Sequence, residues 1–374
     1  MIGIQSEHAN PASGRAVTVG SATVDIITVI ADRDIERVTM TNVTASFLLL
    51  EQGRKIEAES ITIHPGGGAV NTAVCLARLG FEAAPVVKLG TDLNAAKVLE
   101  TFGEQGLSAA LVRRTDELDT GITVMISSHD RNATIFTFRG ANTLITREDV
   151  PEEAFSGARL AHVSGLSNRS ADHHGHVVGA ARRAGAFVSS NPGIRQLTSR
   201  REAFFDALAD IDLISINRVE AEALMPGLAA RMPDRKAQSI PGDAPDLLRR
   251  GLEGSGFDMS LEGFCAAIGG LGPRYVAVTD GKAGAYLWAS GALYFCPTLR
   301  VEAAGTAGAG DAFAGTLAAE LVDKRPPERA LLAATANAAS VVRFIDTQTG
   351  LLDRETLDRF VVDAGEDVAV RRLL

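Results

Sequence analysis

The chain has 374 residues and a formal net charge of -9, with 46% hydrophobic, 22% charged and 5% aromatic residues. That length holds one large α/β domain or about two average ones at roughly 150 residues each, and the composition is that of a folded globular protein rather than a disordered or fibrous one. The acidic balance lacks the basic field that nucleic acid or an anionic membrane surface attracts, so small-molecule chemistry is the first expectation.

Residues Met1 to Arg15 are polar, with Gly, Ser, Asn and Pro, and lack the basic start and apolar stretch of a secretory signal. They are expected to be a disordered leader, with one domain over residues 16–374. Short apolar, β-branched runs then alternate with Ala- and Leu-rich amphipathic stretches, the pattern of βα repetition and a mostly parallel sheet covered by helices. Strands are predicted at Val17–Gly20, Ala84–Leu89, Leu160–Ser164, Phe187–Ser190, Leu213–Ile216 and Tyr275–Val278. Helices are predicted at Asn71–Leu79, Ala95–Gln105, Val177–Ala184, Val219–Met225, Ala312–Leu321 and Pro327–Arg343, and Gly80, Gly106 and Gly185 stand where helix C-terminal glycines belong.

Two stretches break the rhythm. Residues 26–64 and 120–138, the second with alternating apolar residues and a turn at His129–Asn132, look like antiparallel strands that form a small lid over the main domain. Residues 226–256, rich in Pro, Gly and charge, are expected to be an inserted loop holding at most one short helix. No apolar run is long enough to span a membrane. Cys75, Cys265 and Cys296 are far apart and fit no metal or redox spacing, which suits reduced, buried thiols and a cytoplasmic protein.

Two glycine-rich elements carry chemistry. In Gly305-Thr306-Ala307-Gly308-Ala309-Gly310-Asp311, small residues lead into a helix, so the N–H groups of Ala309, Gly310 and Asp311 point outward at its positive end and can stabilise a transferring phosphoryl group. Asp311 at that position suits a base for an attacking hydroxyl, and equally a helix N-cap. In Pro65-Gly66-Gly67-Gly68-Ala69-Val70-Asn71, glycines before a helix let a hydroxyl-rich ligand reach main-chain donors beside the Asn71 amide, although an ordinary strand-to-helix turn has the same composition.

In this order, the two elements resemble the signatures of the ribokinase-like (PfkB) family of carbohydrate and nucleoside kinases, a GG-x-x-x-N helix start and a D-T-x-GAGD-x-F loop. Gly20 with Asp25, Gly90-Thr91-Asp92, Asn191-Pro192, Asn217-Arg218-Val219-Glu220, Thr279-Asp280-Gly281 and Asn337 follow in family order, so the resemblance runs from about Val17 to Gly350. It implies a three-layer α/β/α domain with a mainly parallel central sheet, a small β-sheet lid and ATP-dependent phosphorylation of a hydroxymethyl group on a sugar or nucleoside. By the same resemblance Asp311 is the catalytic base, with Gly308, Ala309 and Gly310 forming the anion hole. Asp25, at the end of the first strand, Gly67, Gly68 and Asn71 bind the acceptor. Asn191, Asn217, Thr279 and Gly281 border the nucleotide, Asn337 flanks the adenine, and Glu220 organises Mg2+ through water. Asp25 is also open to the role of a strand-end turn residue, and Glu220 to that of a solvent-facing helix residue.

Gly305 and Ala307 replace the Asp and second Thr of the family loop, which puts activation by K+ in doubt. Gly305 is also the one sequence feature that suits an alternative, a catalytically silent sugar or nucleoside sensor. Arg139, beside the lid, suits either an acidic or phosphorylated acceptor or an exposed hairpin position; a neutral acceptor is preferred. The lid edge suits a homodimer. No G-x-x-x-x-G-K-[ST] or G-x-S-x-G motif is present, no dinucleotide-binding G-x-G-x-x-G follows the first strand, and His173, His174 and His176 lack the spacing of a metal site.

Overall fold

The computed structural model describes residues 14–31, 36–39, 46–49, 53, 55–127, 133–229, 244–254 and 256–373. Most of the expected leader, the turn at 129–132 and the centre of the expected insertion lie outside them.

The chain enters through β1 (Arg15–Val19) and passes directly into β2 (Thr23–Ile30), β3 (Glu36–Thr39), β4 (Ser46–Leu49) and β5 (Ala58–Gly66). After α1 (Gly68–Arg78) the apolar run expected as one strand is two: β6 (Glu82–Val86) stays in the central sheet, and β7 (Lys88–Leu89) turns away. Then come α2 (Leu93–Glu104), β8 (Arg113–Arg114), which pairs with β7, and the hairpin β9 (Gly121–Ser127) and β10 (Ala133–Phe138). The βα pattern resumes with β11 (Ala158–Ser164), α3 (His174–Arg183), β12 (Phe187–Asn191), α4 (Ile194–Ser199), α5 (Arg201–Ala207), β13 (Leu213–Asn217) and α6 (Arg218–Ala229).

The stretch expected as a loop over 226–256 is more ordered at both ends. Its first residues close α6, with Pro226 inside that helix, and it ends with α7 (Asp246–Arg250) and a hairpin of β14 (Leu252–Gly254) and β15 (Phe257–Met259). The chain finishes through α8 (Leu261–Gly270), β16 (Tyr275–Thr279), β17 (Ala285–Ala289), β18 (Ala292–Cys296), α9 (Ala309–Val322), α10 (Pro327–Val341), α11 (Arg354–Asp367) and β19 (Arg371–Arg372).

The central sheet has nine strands in the order β19-β18-β17-β16-β13-β12-β11-β1-β6, parallel from β16 to β6 and antiparallel from β16 to β19. Alternation along the buried strands sends side chains to two separate cores. Ala16, Leu160, Leu213 and Ala277 join α1, α2, α9, α10 and α11 on one face, whereas Val17, Ala161, Ile214 and Val276 join α3, α5, α6 and α8 on the other. The result is the expected three-layer α/β/α domain. Among the described residues, no helix is long and apolar enough to cross a membrane.

A separate sheet in the order β10-β9-β2-β5 forms the lid. It is not wholly antiparallel: its two hairpins join through β2 and β9, which run parallel. It also begins at Thr23, so Asp25 belongs to the lid and not to the end of β1.

Two core histidines carry a pH signature. His162 on β11 and His174 on α3 are buried with one ring nitrogen of each beside a serine, Ser189 at 3.1 Å and Ser190 at 3.2 Å, and burial pushes both pKa values down to about 4. Below pH 6.5 the unfolded chain takes up protons that these rings refuse in the folded state, so stability is lost as pH falls. Urea unfolding at pH 5 should show about 2 kcal/mol less stability per histidine than at pH 7. His174→Gln should shrink the drop by about that amount.

Candidate active site

The carboxyl ends of the parallel strands put the expected residues in two neighbouring groups. On β12, β13 and β16, adjacent strands, Asn191, Asn217 and Thr279 are the last residues, and Asn217 and Thr279 face each other in register. Gly281 follows in the turn after β16. Asn191 donates from Nδ2 to the Ser215 carbonyl at 2.7 Å. Asn217 caps α6: its Oδ1 accepts from the Glu220 N–H, and Glu220 Oε2 accepts from the Asn217 N–H, both at 2.9 Å. Glu220 is therefore a half-buried capping residue, not a solvent-facing one; burial raises its pKa, and the Asn217 N–H only partly offsets this.

The second group forms where β1, β11, α1 and α9 meet. Gly308, the residue before α9, has φ 78°, and a β-carbon there would lie 2.7 Å from the Thr347 β-carbon. Only glycine fits both restraints. The first helical N–H to find an intrahelical acceptor is that of Ala312, bonded to Gly308 O at 2.9 Å, so those of Ala309, Gly310 and Asp311 have no acceptor within the helix. Space beside Gly310 is open.

Asp311 is not a simple N-cap, because no side chain caps α9. Its Oδ2 accepts instead from Asn71 Nδ2 at 2.8 Å. The Asn71 orientation follows from the other end of the amide, whose Oδ1 accepts from Thr347 Oγ1 at 2.9 Å and Gln348 Nε2 at 3.1 Å. Asp346 shapes that turn by accepting the Gln348 and Thr349 N–H groups at 2.8 and 2.7 Å. Burial would raise the Asp346 pKa, but those bonds hold it below the usual carboxylate range. Asn71 thus positions Asp311, a role that the motif alone did not assign to it. Thr347 and Gln348 escaped notice; the polar run Asp346-Thr347-Gln348-Thr349-Gly350 after a helix was the available signal.

The glycines before α1 provide room more than donors. The Gly68 N–H is taken by Ser21 Oγ at 3.0 Å, and the Ala69 N–H by Ser21 O at 3.1 Å. Gly67 has φ 95°, with a β-carbon position 2.5 Å from Ser21 O; that of Gly68 lies 3.4 Å from Asp311 Oδ1. A side chain at Gly67 would collide with the Ser21 and Ala22 backbone, and one at Gly68 with Ser164, whose Oγ lies 2.8 Å from the β-carbon position.

Asp25 is buried on β2, with Oδ1 accepting from Thr23 Oγ1 at 3.0 Å. Burial raises its pKa, against the pull of Thr23, Thr123 and the His64 charge. For Asp311 burial is again the main cause of a raised pKa; the Asn71 bond opposes it and the Asp25 charge adds to it. The two carboxylates therefore sense one another across the space beneath the lid.

Asn337 is a correction. It is wholly buried, with Nδ2 donating to Thr316 Oγ1 at 2.8 Å and Oδ1 accepting from the Leu352 N–H at 2.9 Å. It braces α9, α10 and the following turn, and both ends of its amide are taken by protein partners. Arg139, open to two interpretations in the sequence, is a half-buried side chain whose Nη1 donates to Ser167 Oγ at 2.9 Å. Burial and the nearby Arg195 guanidinium both disfavour its charge, and neither arginine has a carboxylate partner among the described residues. His176 binds the Val150 carbonyl at 3.0 Å, and among the described residues no three His, Cys, Asp or Glu side chains gather as a metal site.

Known proteins resemble this chain over most of its length. The family model described as pfkB family carbohydrate kinase matches residues 34–238 and 259–354, and the chain belongs to that family. The 2-dehydro-3-deoxygluconokinase of Bacillus subtilis (strain 168) is 25% identical over 335 residues, covering 87% of this chain and 95% of that protein. The ribokinase of Arabidopsis thaliana is 25% identical over 355 residues, 94% of this chain and 80% of that one. Among solved structures, Arabidopsis thaliana ribokinase complexed with ribose and ATP shares the fold with a TM-score of 0.67 at 22% identity, covering 93% of this chain and 99% of that chain. Burkholderia thailandensis nucleoside kinase in complex with inosine does so with a TM-score of 0.70 at 17% identity, over 93% and 98%. The protein is an ATP-dependent carbohydrate or nucleoside kinase.

The two neighbours of Asp311 should move its titration in opposite directions. Removing the Asn71 bond raises the Asp311 pKa, so Asn71→Ala should shift the acid limb of the kcat/KM profile to higher pH. Removing the Asp25 charge lowers it, so Asp25→Asn should shift that limb to lower pH, whatever either change does to the maximum rate.

Proposed function

We propose that the enzyme transfers the γ-phosphoryl group of ATP to a hydroxymethyl group, with Asp311 as general base. The observation that carries this is one carboxylate fixed by Asn71 at a helix N-terminus whose first N–H groups have no intrahelical acceptor. The acceptor hydroxyl gives its proton to Asp311 as its oxygen bonds to the γ-phosphorus and the bond to the β,γ-bridging oxygen breaks, releasing ADP. Charge on the transferring group is met by the N–H groups of Ala309, Gly310 and Asp311 beside the Gly308 turn. Asp25 and Asn71 hold the acceptor beneath the lid, whose closure excludes water as a competing acceptor. Asn191, Asn217, Thr279 and Gly281 border the nucleotide.

Mg2+ fits this site, because Glu220 stands beside the strand-end residue Asn217 and engages one carboxylate oxygen with its N–H, while its other oxygen has no hydrogen-bond donor among the described residues. One carboxylate with substrate phosphates is a common Mg2+ environment, and the ion supplies charge neutralisation when bound. K+ has a weaker basis. The loop is tied by the Ala304 and Gly305 N–H groups to Val342 O at 2.7 and 3.2 Å, and position 305 offers no carboxylate. Rates in K+ and Na+ buffers should agree within about twofold.

Neutral sugars and nucleosides fit the hydroxyl-binding groups Asp25 and Asn71. A second class, acidic acceptors, is favoured by Arg139 and Arg195, which have no carboxylate partner among the described residues, and by the likeness to a 2-dehydro-3-deoxygluconokinase. The lid supports a homodimer. Ile63, Ile26, Val124 and Phe136 lie in one cross-strand row, opposite in facing to the Asp25 row, and Ile61, Ile63, Phe136 and Phe138 are exposed. A cytoplasmic location suits the chemistry.

ADP formation with Mg-ATP against pentoses, hexoses, sugar acids, sugar phosphates and nucleosides tests the proposal. Turnover with one class should fall by about two to four orders of magnitude in Asp311→Ala. If acidic acceptors are the substrate, Arg139→Gln should raise KM at least about tenfold; an unchanged KM assigns the neutral class. Phe136→Glu should convert a dimer to monomer in sedimentation velocity.

A further inference from the structure

At the end of the sheet opposite the candidate active site, a cleft of about 420 Å3 opens among the amino ends of the parallel strands. Phe187 and Tyr275, the first residues of β12 and β16, form its aromatic floor. The guanidinium of Arg274 lies over both rings, 5.8 and 5.9 Å from their centroids. Its walls hold four cations, Arg159, Arg182, Arg274 and Lys324.

Two carboxylates pair with three of them among the described residues. Asp212 is buried; its Oδ1 forms ion pairs with Arg182, at 3.1 Å, and Arg274, at 2.9 Å, and accepts from Arg274 Nε at 3.1 Å, while its Oδ2 accepts the Val188 N–H at 2.9 Å. Asp323 pairs with Arg159 at 3.0 Å. Lys324 is exposed and has no carboxylate partner among the described residues. Among the described residues, four cations gather at this cleft around Asp212, and Lys324 has no carboxylate there, in a chain whose formal net charge is -9. Forked guanidinium donors around an aromatic floor match phosphate oxygens, and the volume exceeds what a single phosphate fills.

We propose that this basal cleft is a second ligand site, for a small anion bearing at least one phosphate. It has a direct mechanical link to the chemistry. Leu321 and Val322 in its wall are the last residues of α9, which carries Asp311 in its first turn; at 1.5 Å per residue the 14 residues of that helix span roughly 21 Å.

The test is calorimetric titration of the full chain with pyrophosphate and, separately, inorganic phosphate, near physiological ionic strength, with the nucleotide site saturated by a non-hydrolysable ATP analogue. Pyrophosphate should still bind, more tightly than phosphate. Its Kd should rise about tenfold or more in Lys324→Glu, and stay within about twofold in Lys97→Glu, the same charge change at a remote exposed lysine. Arg182→Gln, which leaves Asp212 its Arg274 partner, provides a second variant, and thermal midpoints check that each is folded. No binding to the analogue-saturated protein overturns the proposal. So does an affinity unchanged in both cleft variants, or one weakened equally in Lys97→Glu.

Discussion

The structure depends on the close approach of two helices, α1 and α9, whose N-termini open on the same space. Gly315 makes that approach possible, because a β-carbon there would lie 3.1 Å from Thr72 Cγ2 and 3.2 Å from Cys75 Sγ. Beside it, a buried polar contact fixes the register: Cys75 Sγ lies 3.5 Å from Thr316 Oγ1, which also accepts from Asn337. Such contacts hold only if each polar atom keeps its partner away from water. With the helices locked side by side, Asn71 meets Asp311 with no adjustable loop between them.

The same arrangement sets the electrostatics. A half-buried carboxylate near a second carboxylate is costly to ionise, and here an amide donor and a helix N-terminus work against that cost. The balance keeps Asp311 more basic than an exposed aspartate, which suits proton removal from a hydroxyl. Placing Asp25 on the lid also makes the field at Asp311 depend on where the lid stands.

Much of the central fold was legible because buried parallel strands and amphipathic helices write their period into the chain. Tyr275–Val278 is a continuous apolar run and Phe187–Ser190 opens on two apolar residues between helical stretches, and the observed strands extend each by one residue. The antiparallel strands β17 and β18 and the helix α11 were not anticipated, since short runs near aromatic and Ala-rich segments do not declare their partners. Asp311 and the N–H cradle could be read because their chemistry is local: a small-residue turn followed by a helix. Asn337 could not, because whether an amide faces a ligand or the core depends on Thr316 and Leu352, 21 and 15 residues away in sequence. Arg139 was ambiguous for a similar reason, since its half-buried setting is made by Ser167 and Arg195.

The turn at Asp346–Thr349 has a consequence for biosynthesis. Asn71 is synthesised early, yet the two side chains that orient its amide, Thr347 and Gln348, lie 276 and 277 residues later. A nascent chain can therefore build both helices and most of the sheet without a correctly turned Asn71. The Asn71–Asp311 pair is oriented only after Thr347 and Gln348 have left the ribosome, so a chain that ends before them lacks the groups that turn the Asn71 amide.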